Sequence, residues 1–513
     1  MFKRQWLSKC VRTILPSMSI IVSCDQESTY HPQLGKRIGG LPSFTRAEIA
    51  KHVDKEKGVW VTYKDGVYDI TNFISKHPGG EKILLGAGKS VEPFWRLYAQ
   101  HLNLPSISHL MEDMRIGNLD ESESVEHHDD QHDNPYQVEE TLIQRHPGLV
   151  FLTQRPANAE VPPSLLCDSF LTPNEIFFVR HHFPVPEPKP DEEVNVSGIK
   201  GFSALALETA FDQHEVIATI QCTGNRRTGF KSCNVSKPSE VKGLPWSVGA
   251  ISTAKWSGPK LADVLNRVYP QGIPEDMKHV CFTGRDSDGS GQFYGVSINL
   301  EHAMDPRGEV ILALKMNDEP LPLDHGAPVR VIVPGTAGCR SVKWLKEIFL
   351  SETESTAFWQ KQDYKSFSPS QGWEGLDFDS APSVMFTPVQ SAICEYKIFR
   401  EEEKKPYIVA KGYSFSGGGN SIIRVDVSAD GGRNWTNADL DSGDHSTAYK
   451  RRYSWTLWTA VVDIPHNDDK TIELVVKAVD EGYNSQPETP DSIWNVRGIL
   501  NNSWHRIFVG EKN

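Results

Sequence analysis

Short apolar runs bounded by turn residues recur along this chain. Val59-Trp60-Val61-Thr62-Tyr63 and Val67-Tyr68-Asp69-Ile70 are joined by Lys64-Asp65-Gly66. Their β-branched and aromatic content and the Asp-Gly turn predict a β-hairpin. Residues 215–220 and 329–333 are further strand-like runs inside a block, 138–380, where such runs alternate with loops rich in Gly and Pro. Residues 381–513 read as all β. Ile422–Ser428 and Trp435 flank Asp430-Gly431-Gly432, a second hairpin signal, and 455–464 and 471–479 add two strands. Short strands at this spacing predict an immunoglobulin-like sandwich. Residues 120–137 (ESESVEHHDDQHDNPYQV) break the pattern, being acidic and polar with little to bury, and read as a self-repelling flexible linker. A solvated tether is the simpler reading of His127, His128 and His132 there; metal binding is the alternative. No internal repeat is visible.

Composition narrows the function classes. The 513 residues carry 54 basic and 67 acidic side chains, a net charge of −13. With 38% apolar residues and 39 glycines the chain buries ordinary cores, which excludes a disordered, collagenous or membrane-spanning protein. Net acidity argues against nucleic acid as a partner and suits solubility or a basic protein partner. The amino terminus differs in kind. Lys3, Arg4, Lys9 and Arg12 precede the first acid, Asp25, and the apolar run 14–22 is too short to span a bilayer and is broken by Pro16, Ser17 and Ser19. Residues 1–35 therefore read as a mitochondrial presequence rather than a secretory signal. The eight cysteines (10, 24, 167, 222, 233, 281, 339 and 394) form no CxxC pair, so neither a zinc knuckle nor a disulfide framework is indicated.

Two histidines stand out in 42–119. His77 ends one apolar element before Pro78-Gly79-Gly80, and His101 closes Trp95-Arg96-Leu97-Tyr98-Ala99-Gln100-His101. Phe73, Ile83, Leu84, Leu85, Phe94 and Leu97 surround them in sequence. Two neutral imidazoles facing each other across an apolar slot hold a haem iron on both axial positions, and such a haem transfers electrons. Either histidine alone would be an ordinary surface or structural residue. With the hairpin and the His77-Pro-Gly-Gly string, the segment resembles cytochrome b5, and His77 and His101 match that family's axial ligands.

Cys222 follows the strand-like run 215–220 in Ile220-Gln221-Cys222-Thr223-Gly224-Asn225-Arg226-Arg227. A thiol beside two guanidiniums favours the thiolate, a soft metal ligand; a lone cysteine is otherwise an inert buried thiol. Arg180, after Phe177-Phe178-Val179, and Arg497, in Trp494-Asn495-Val496-Arg497-Gly498, also lie in apolar surroundings. Each needs an anion or a structural carboxylate. Together, Cys222-Thr-Gly-Asn-Arg-Arg, Gly243-Leu-Pro-Trp246, Gly249-Ala-Ile-Ser-Thr-Ala254, Asp324-His-Gly-Ala-Pro-Val-Arg330, Ser341-Val-Lys-Trp344 and Trp494-Asn-Val-Arg-Gly498 resemble the molybdenum domain of the sulfite oxidases. The order of the segments matches the animal type over roughly 42–510.

The resemblance implies an α+β multidomain chain: a presequence, 1–35; a small cytochrome b5-like α+β domain, 42–119; a linker, 120–137; a central mixed α/β molybdopterin domain, 138–380; and an immunoglobulin-like dimerisation sandwich, 381–513. It implies that Cys222 binds molybdenum beside a pterin dithiolene. Arg180, Arg227, Trp246, Tyr364 and Arg497 would receive sulfite, with Cys222, Tyr364, Arg180 and Arg227 at the chemistry. Phe178, Val179, Arg180, His181, His182, Asp286, His325, Arg330, Ser341, Val342 and Lys343 would hold the cofactor, with Arg330 and 341–343 suited to its phosphate. The implied activity is oxidation of sulfite to sulfate by oxygen-atom transfer at molybdenum, electrons passing through haem b to cytochrome c, in a homodimer between the mitochondrial membranes. His181 stands where the family pattern has asparagine, the stretch between Cys222 and Trp246 runs a few residues long, and Cys339 is an extra thiol. Two alternatives carry different expectations. An assimilatory nitrate reductase places its haem domain after the sandwich and ends in a flavin module. A catalytically inactive scaffold holds haem and no molybdenum.

Overall fold

The computed structural model describes residues 31–510, apart from 78–82, 85, 98–100, 102–104, 124–133, 190–191, 233–239, 290, 401–404, 444–450 and 465–470. Residues 1–30 of the expected presequence, most of the expected linker, and Cys10, Cys24 and Cys233 lie outside the described residues. The five described cysteines are free thiols, Cys222 and Cys281 buried and the others half-buried. Among the described residues no helix is long and apolar enough to cross a membrane.

The predicted hairpin forms from Gly58–Tyr63 and Gly66–Asp69, with Trp60 opposite Asp69 and Tyr63 opposite Gly66. Its turn works differently from the signal that revealed it. Lys64 takes the left-handed conformation (φ 51°), and Gly66 does not. Gly66 is needed because a Cβ there would lie 2.3 Å from the Tyr68 hydroxyl and 2.7 Å from Arg115 Nη1. Strands Val53–Asp54, Arg115–Leu119 and Ser43–Phe44 extend this pair to a five-stranded sheet, the last pairing parallel. Val59, Val61, Tyr68, Ile70, Ile74, Trp95 and Met111 form its core.

The central block is built on a five-stranded mixed sheet (Ile199–Ser203, Glu193–Val196, Leu345–Ser351, His279–Ser287, Phe293–Asn299), where only Glu193–Val196 and Leu345–Ser351 pair parallel. Helix Leu261–Val268 buries Leu261, Val264 and Leu265, the i, i+3, i+4 stripe of a surface helix. A second sheet pairs Gln213–Gln221 with Ile251–Pro259 along nine residues, so Cys222 leaves the end of a long, fixed ladder.

The carboxyl-terminal segment folds into two four-stranded antiparallel sheets: Gln390–Phe399, Tyr407–Phe415, Thr456–Asp463, Asp439–Asp441; and Thr436–Asn437, Ile422–Ser428, Thr471–Asp480, His505–Gly510. They share a core that includes Ile408, Ala410, Val425, Val427, Trp458 and Val476. Another cluster crosses the expected boundary at 380: Ile220, Cys222, Trp246 and Trp256 pack in one group with Ala392, Tyr413, Phe415 and Trp455.

His505 ties the two sheets, its Nδ1 accepting the Ile393 N–H at 3.0 Å. Burial and the positive Arg226 push its imidazole down to about 3, against about 6.5 unfolded. The unfolded chain thus binds the extra proton between those values, so this contribution is present above about pH 6.5 and is lost as pH falls toward 3. Melting temperature should drop between pH 7 and pH 4, and by less in His505→Gln, whose amide oxygen still accepts. Parallel pH curves for the two proteins would contradict this role.

Candidate functional site

The loop after strand Gln213–Gln221 is held from three directions. Cys222 N–H donates to Ala250 O (3.0 Å), Asn225 N–H to Cys222 O (2.9 Å), and Leu500 N–H to Thr223 O (2.7 Å). Asn225 Nδ2 donates to the Tyr413 hydroxyl (2.9 Å), which donates to Val248 O (2.9 Å). The two arginines that follow part company. Arg226 takes φ 62° and turns into the interior toward Ser391 O (3.1 Å). Arg227 donates from Nε to Gly498 O (2.8 Å) and from Nη1 to Leu244 O (2.6 Å). The expectation of two guanidiniums beside Cys222 is therefore corrected to one, because the left-handed backbone at Arg226 sends its side chain the other way.

Arg227 is crowded into a glycine-lined cup. A Cβ on Gly224 would lie 2.5 Å from its guanidinium, and one on Gly243 3.1 Å away. Arg180 and Arg497 line the same cavity with Arg227, Cys222, Trp246 and Tyr364. Arg180 donates to Asn158 Oδ1 (3.0 Å) and to His181 O. Arg497 pairs with Asp363, donating to its carboxylate and to its carbonyl (2.9 Å). Burial lowers the Arg227 pKa; Cys222 and Asp363 oppose the shift, and Arg180 and Arg497 reinforce it. Three guanidiniums destabilise one another here, so the cup favours a small anion.

An adjoining cavity is lined by Phe178, Arg180, His181, His182, Cys222, Asp286, His325, Arg330, Ser341, Val342 and Lys343. Val179 is the exception among the expected cofactor residues: its side chain packs with Leu149, Ala157 and Ala159, because alternate residues of the strand Val179–Arg180 point to opposite faces. His181 Nε2–H donates to Asp324 O (3.2 Å), which leaves Nδ1 as an acceptor, buried and without a partner among the described residues. Asp286 Oδ1 is likewise unpartnered, and burial raises its carboxyl pKa against the pull of Lys343. Burial lowers Arg330 to about 9 and lowers Lys343 strongly. Buried acceptors without donors and buried cations resisting their charge together fit a ligand with N–H donors at one end and a phosphate at the other. His182 and Tyr364 share a 2.8 Å hydrogen bond, and burial keeps the tyrosine pKa well above its ordinary value, so it is a neutral hydroxyl.

In the amino-terminal unit the His77 and His101 ring centroids are 6.0 Å apart with planes 20° from parallel. Two metal–nitrogen bonds of about 2 Å, each extended by a ring radius of about 1 Å, put trans imidazole centroids about 6 Å apart. Val61, Ile70, Phe73, Ile83, Phe94, Trp95 and Met111 supply apolar walls. The slot fits a bis-histidine haem. Of the surroundings expected from sequence, Pro78–Gly80, Leu85, Tyr98–Gln100 and the Leu97 side chain lie outside the described residues.

Sequence reasoning missed Asp363, although it adjoins Tyr364. It also missed Tyr294, which lines the adjoining cavity and donates to Cys339 O (2.8 Å), and Asp324, held by Arg145 at 2.7 Å. The signals available were the adjacency of Asp363 to Tyr364 and the place of Asp324 beside His325 in the 324–330 string.

Comparison with known proteins agrees with this layout. Residues 45–120 match the cytochrome b5-like haem/steroid binding domain, 182–359 the oxidoreductase molybdopterin binding domain, and 381–512 the Mo-co oxidoreductase dimerisation domain. Mitochondrial sulfite oxidase of Homo sapiens is 46% identical over 476 residues, covering 91% of this chain and 84% of that protein. Sulfite oxidase of Gallus gallus is 44% identical, covering 91% and 99%. The solved structure of the sulfane dehydrogenase SoxCD from Paracoccus pantotrophus shares the fold at a TM-score of 0.55 and 24% identity, over 72% of this chain and 87% of that one.

The glycine cup gives a stability test. Gly498 has φ +60°, and a Cβ there would lie 2.1 Å from Val241 Cγ1 and 3.1 Å from Arg227 Cδ. Gly498→Ala should cost about 1–3 kcal/mol, read as a lower melting temperature; an unchanged one would mean that Val241 and Arg227 yield freely.

Proposed function

We propose, since this chain belongs to the sulfite oxidase family, that it oxidises sulfite to sulfate at a molybdopterin-bound molybdenum and passes the electrons to its own haem. The observation that carries the reading is the convergence of Cys222, Arg180, Arg227 and Arg497 on one cavity. Neither centre needs a cluster of protein ligands. A haem takes two imidazoles, and a pterin-held metal takes one thiolate, which suits a chain where no three His, Cys, Asp or Glu gather to bind a metal among the described residues.

Bound beside Cys222, the cofactor supplies oxygen-atom transfer and takes up two electrons; the protein supplies binding, orientation and electrostatics. Arg180, Arg227 and Arg497 concentrate a dianion and offset its charge. Arg497 already holds Asp363, so an incoming anion competes with that carboxylate for the guanidinium. Trp246, 1% exposed, forms an apolar wall that excludes water. Tyr364, held neutral and oriented by His182, donates a hydrogen bond to the anion. His181, Asp286, His325, Arg330 and 341–343, Lys343 in particular, would hold the pterin and its phosphate. His77 and His101 would hold haem b, which would supply one-electron transfer toward a basic partner, cytochrome c, a partner that the net charge of −13 favours.

The mitochondrial names of relatives and the basic, acid-free start support a mitochondrial enzyme, placed by this reading between the two membranes. The match of 381–512 to a dimerisation domain supports a homodimer through the carboxyl-terminal sheets.

Metal analysis paired with sulfite-dependent reduction of cytochrome c tests the whole reading; haem without molybdenum would favour the inactive scaffold. Cys222→Ser should lose sulfite oxidation while keeping the haem spectrum, and retained turnover would displace Cys222 from the metal. Arg227→Gln should raise KM for sulfite by about tenfold or more, because a buried anion loses a charged partner; a KM within about twofold of the parent would move the substrate site elsewhere.

A further inference from the structure

The haem slot and the anion cup open into one another. A single cavity of about 710 Å³ is bounded on one side by His77, His101 and Met111 and on the other by Arg227, Trp246 and Arg497. The haem-ligand segment rests directly on the central unit at this junction. Lys242 Nζ donates to Ser75 O (3.2 Å) and to the carbonyl of His77 itself (3.4 Å). Lys242 in turn sits 5.3 Å from the centroid of the Trp373 ring, and the Arg497 guanidinium lies 5.4 Å from the same ring. Trp373 is fixed by donating from Nε1 to Glu240 O (3.2 Å) and by packing against the cluster of Phe230, Trp494 and Val496.

We propose that Lys242, seated on Trp373, is the latch that docks the haem-ligand segment over the mouth of the anion cup. An ammonium suits this task. It donates to two carbonyls at once, and it makes no demand on any side chain of the haem unit, so the contact can form and break without leaving a buried charge behind. The aromatic ring below it holds the cation in place electrostatically. The link from the His77 carbonyl through Lys242 and Trp373 to Arg497 also puts the haem ligand and the substrate pocket in mechanical contact. The step served is a one-electron transfer from the reduced metal centre to ferric haem, in which no bond forms or breaks. Lys242 is a positioning residue: its ammonium meets the Ser75 and His77 carbonyls and the Trp373 ring.

This inference rests on the proposed function, and the experiment separates the two. In the full holoenzyme, haem reduction after mixing with sulfite is followed by stopped-flow absorbance in the parent, Lys242→Met and Lys242→Arg. Failure of the parent to reduce its haem would sink the function itself. If the parent reduces it, Lys242→Met should be slower by about tenfold or more, as expected when charge-assisted hydrogen bonds are lost, and Lys242→Arg should recover most of the rate. A second readout needs no turnover. Amide exchange of residues 73–77 should rise by about threefold or more in Lys242→Met, while the hairpin 58–69 stays as protected as in the parent. Haem reduction within twofold of the parent together with unchanged exchange at 73–77 would overturn the latch.

Discussion

Three like charges held in one half-buried cup are the constraint around which this structure is arranged. At an effective dielectric near 20, two unit charges about 4 Å apart interact by about 4 kcal/mol, so Arg180, Arg227 and Arg497 do not gather unless the fold holds them. It does so mainly with neutral acceptors. Arg227 is pinned by the carbonyls of Gly498 and Leu244, and Arg180 by Asn158 and the His181 carbonyl. Arg497 is given a carboxylate, Asp363. Carbonyl pinning fixes position without cancelling charge, and that leaves the cup attractive to an anion. The glycines at 224, 243 and 498 follow from the same demand, since any side chain there would enter the space of Arg227.

The second demand is that the cup stay rigid around Cys222, and here the carboxyl-terminal sheets take part. Tyr413 lies on strand Tyr407–Phe415, yet its hydroxyl bridges Asn225 and Val248. Trp455 N–H donates to Thr219 Oγ1 on the ladder that leads to Cys222. Arg226 crosses to Ser391. The hydrophobic cluster shared between the two parts does the rest. A unit matched to dimerisation therefore also buttresses the loop on which the thiol sits, and Arg497 reaches the cup from the far end of that unit.

The two cofactor sites solve opposite problems. The haem slot has apolar walls, with the His77 and His101 rings 6.0 Å apart, a spacing that suits two ligands of one iron. The adjoining cavity carries unsatisfied polar groups, with His181 Nδ1 and Asp286 Oδ1 lacking partners among the described residues and burial lowering the pKa values of Arg330 and Lys343. Each site is incomplete in the way that its own ligand completes.

Much of this was legible in one dimension. Strands at 58–63, 66–69, 422–428, 456–463 and 471–480 lie within a residue of the β-branched runs between turn residues, because strand pattern and turn chemistry are local. The paired histidines and the strings around Cys222, Trp246, Arg330 and Trp494 are compact enough to carry a family resemblance. The sequence also showed that arginines sat where an apolar chain would have to find them partners. What it could not show is which partner each found. Arg226 and Arg227 are neighbours with the same side chain, and only a left-handed φ at Arg226 sends one to the interior and the other to the cup. Gly66 looked like a turn glycine and is instead a gap left for a tyrosine. Asp363 and Lys242 acquire meaning only through residues more than a hundred positions away. Local pattern determines elements and motifs; the tertiary fold decides direction and company, because burial and Coulomb energy depend on distance in space and not along the chain.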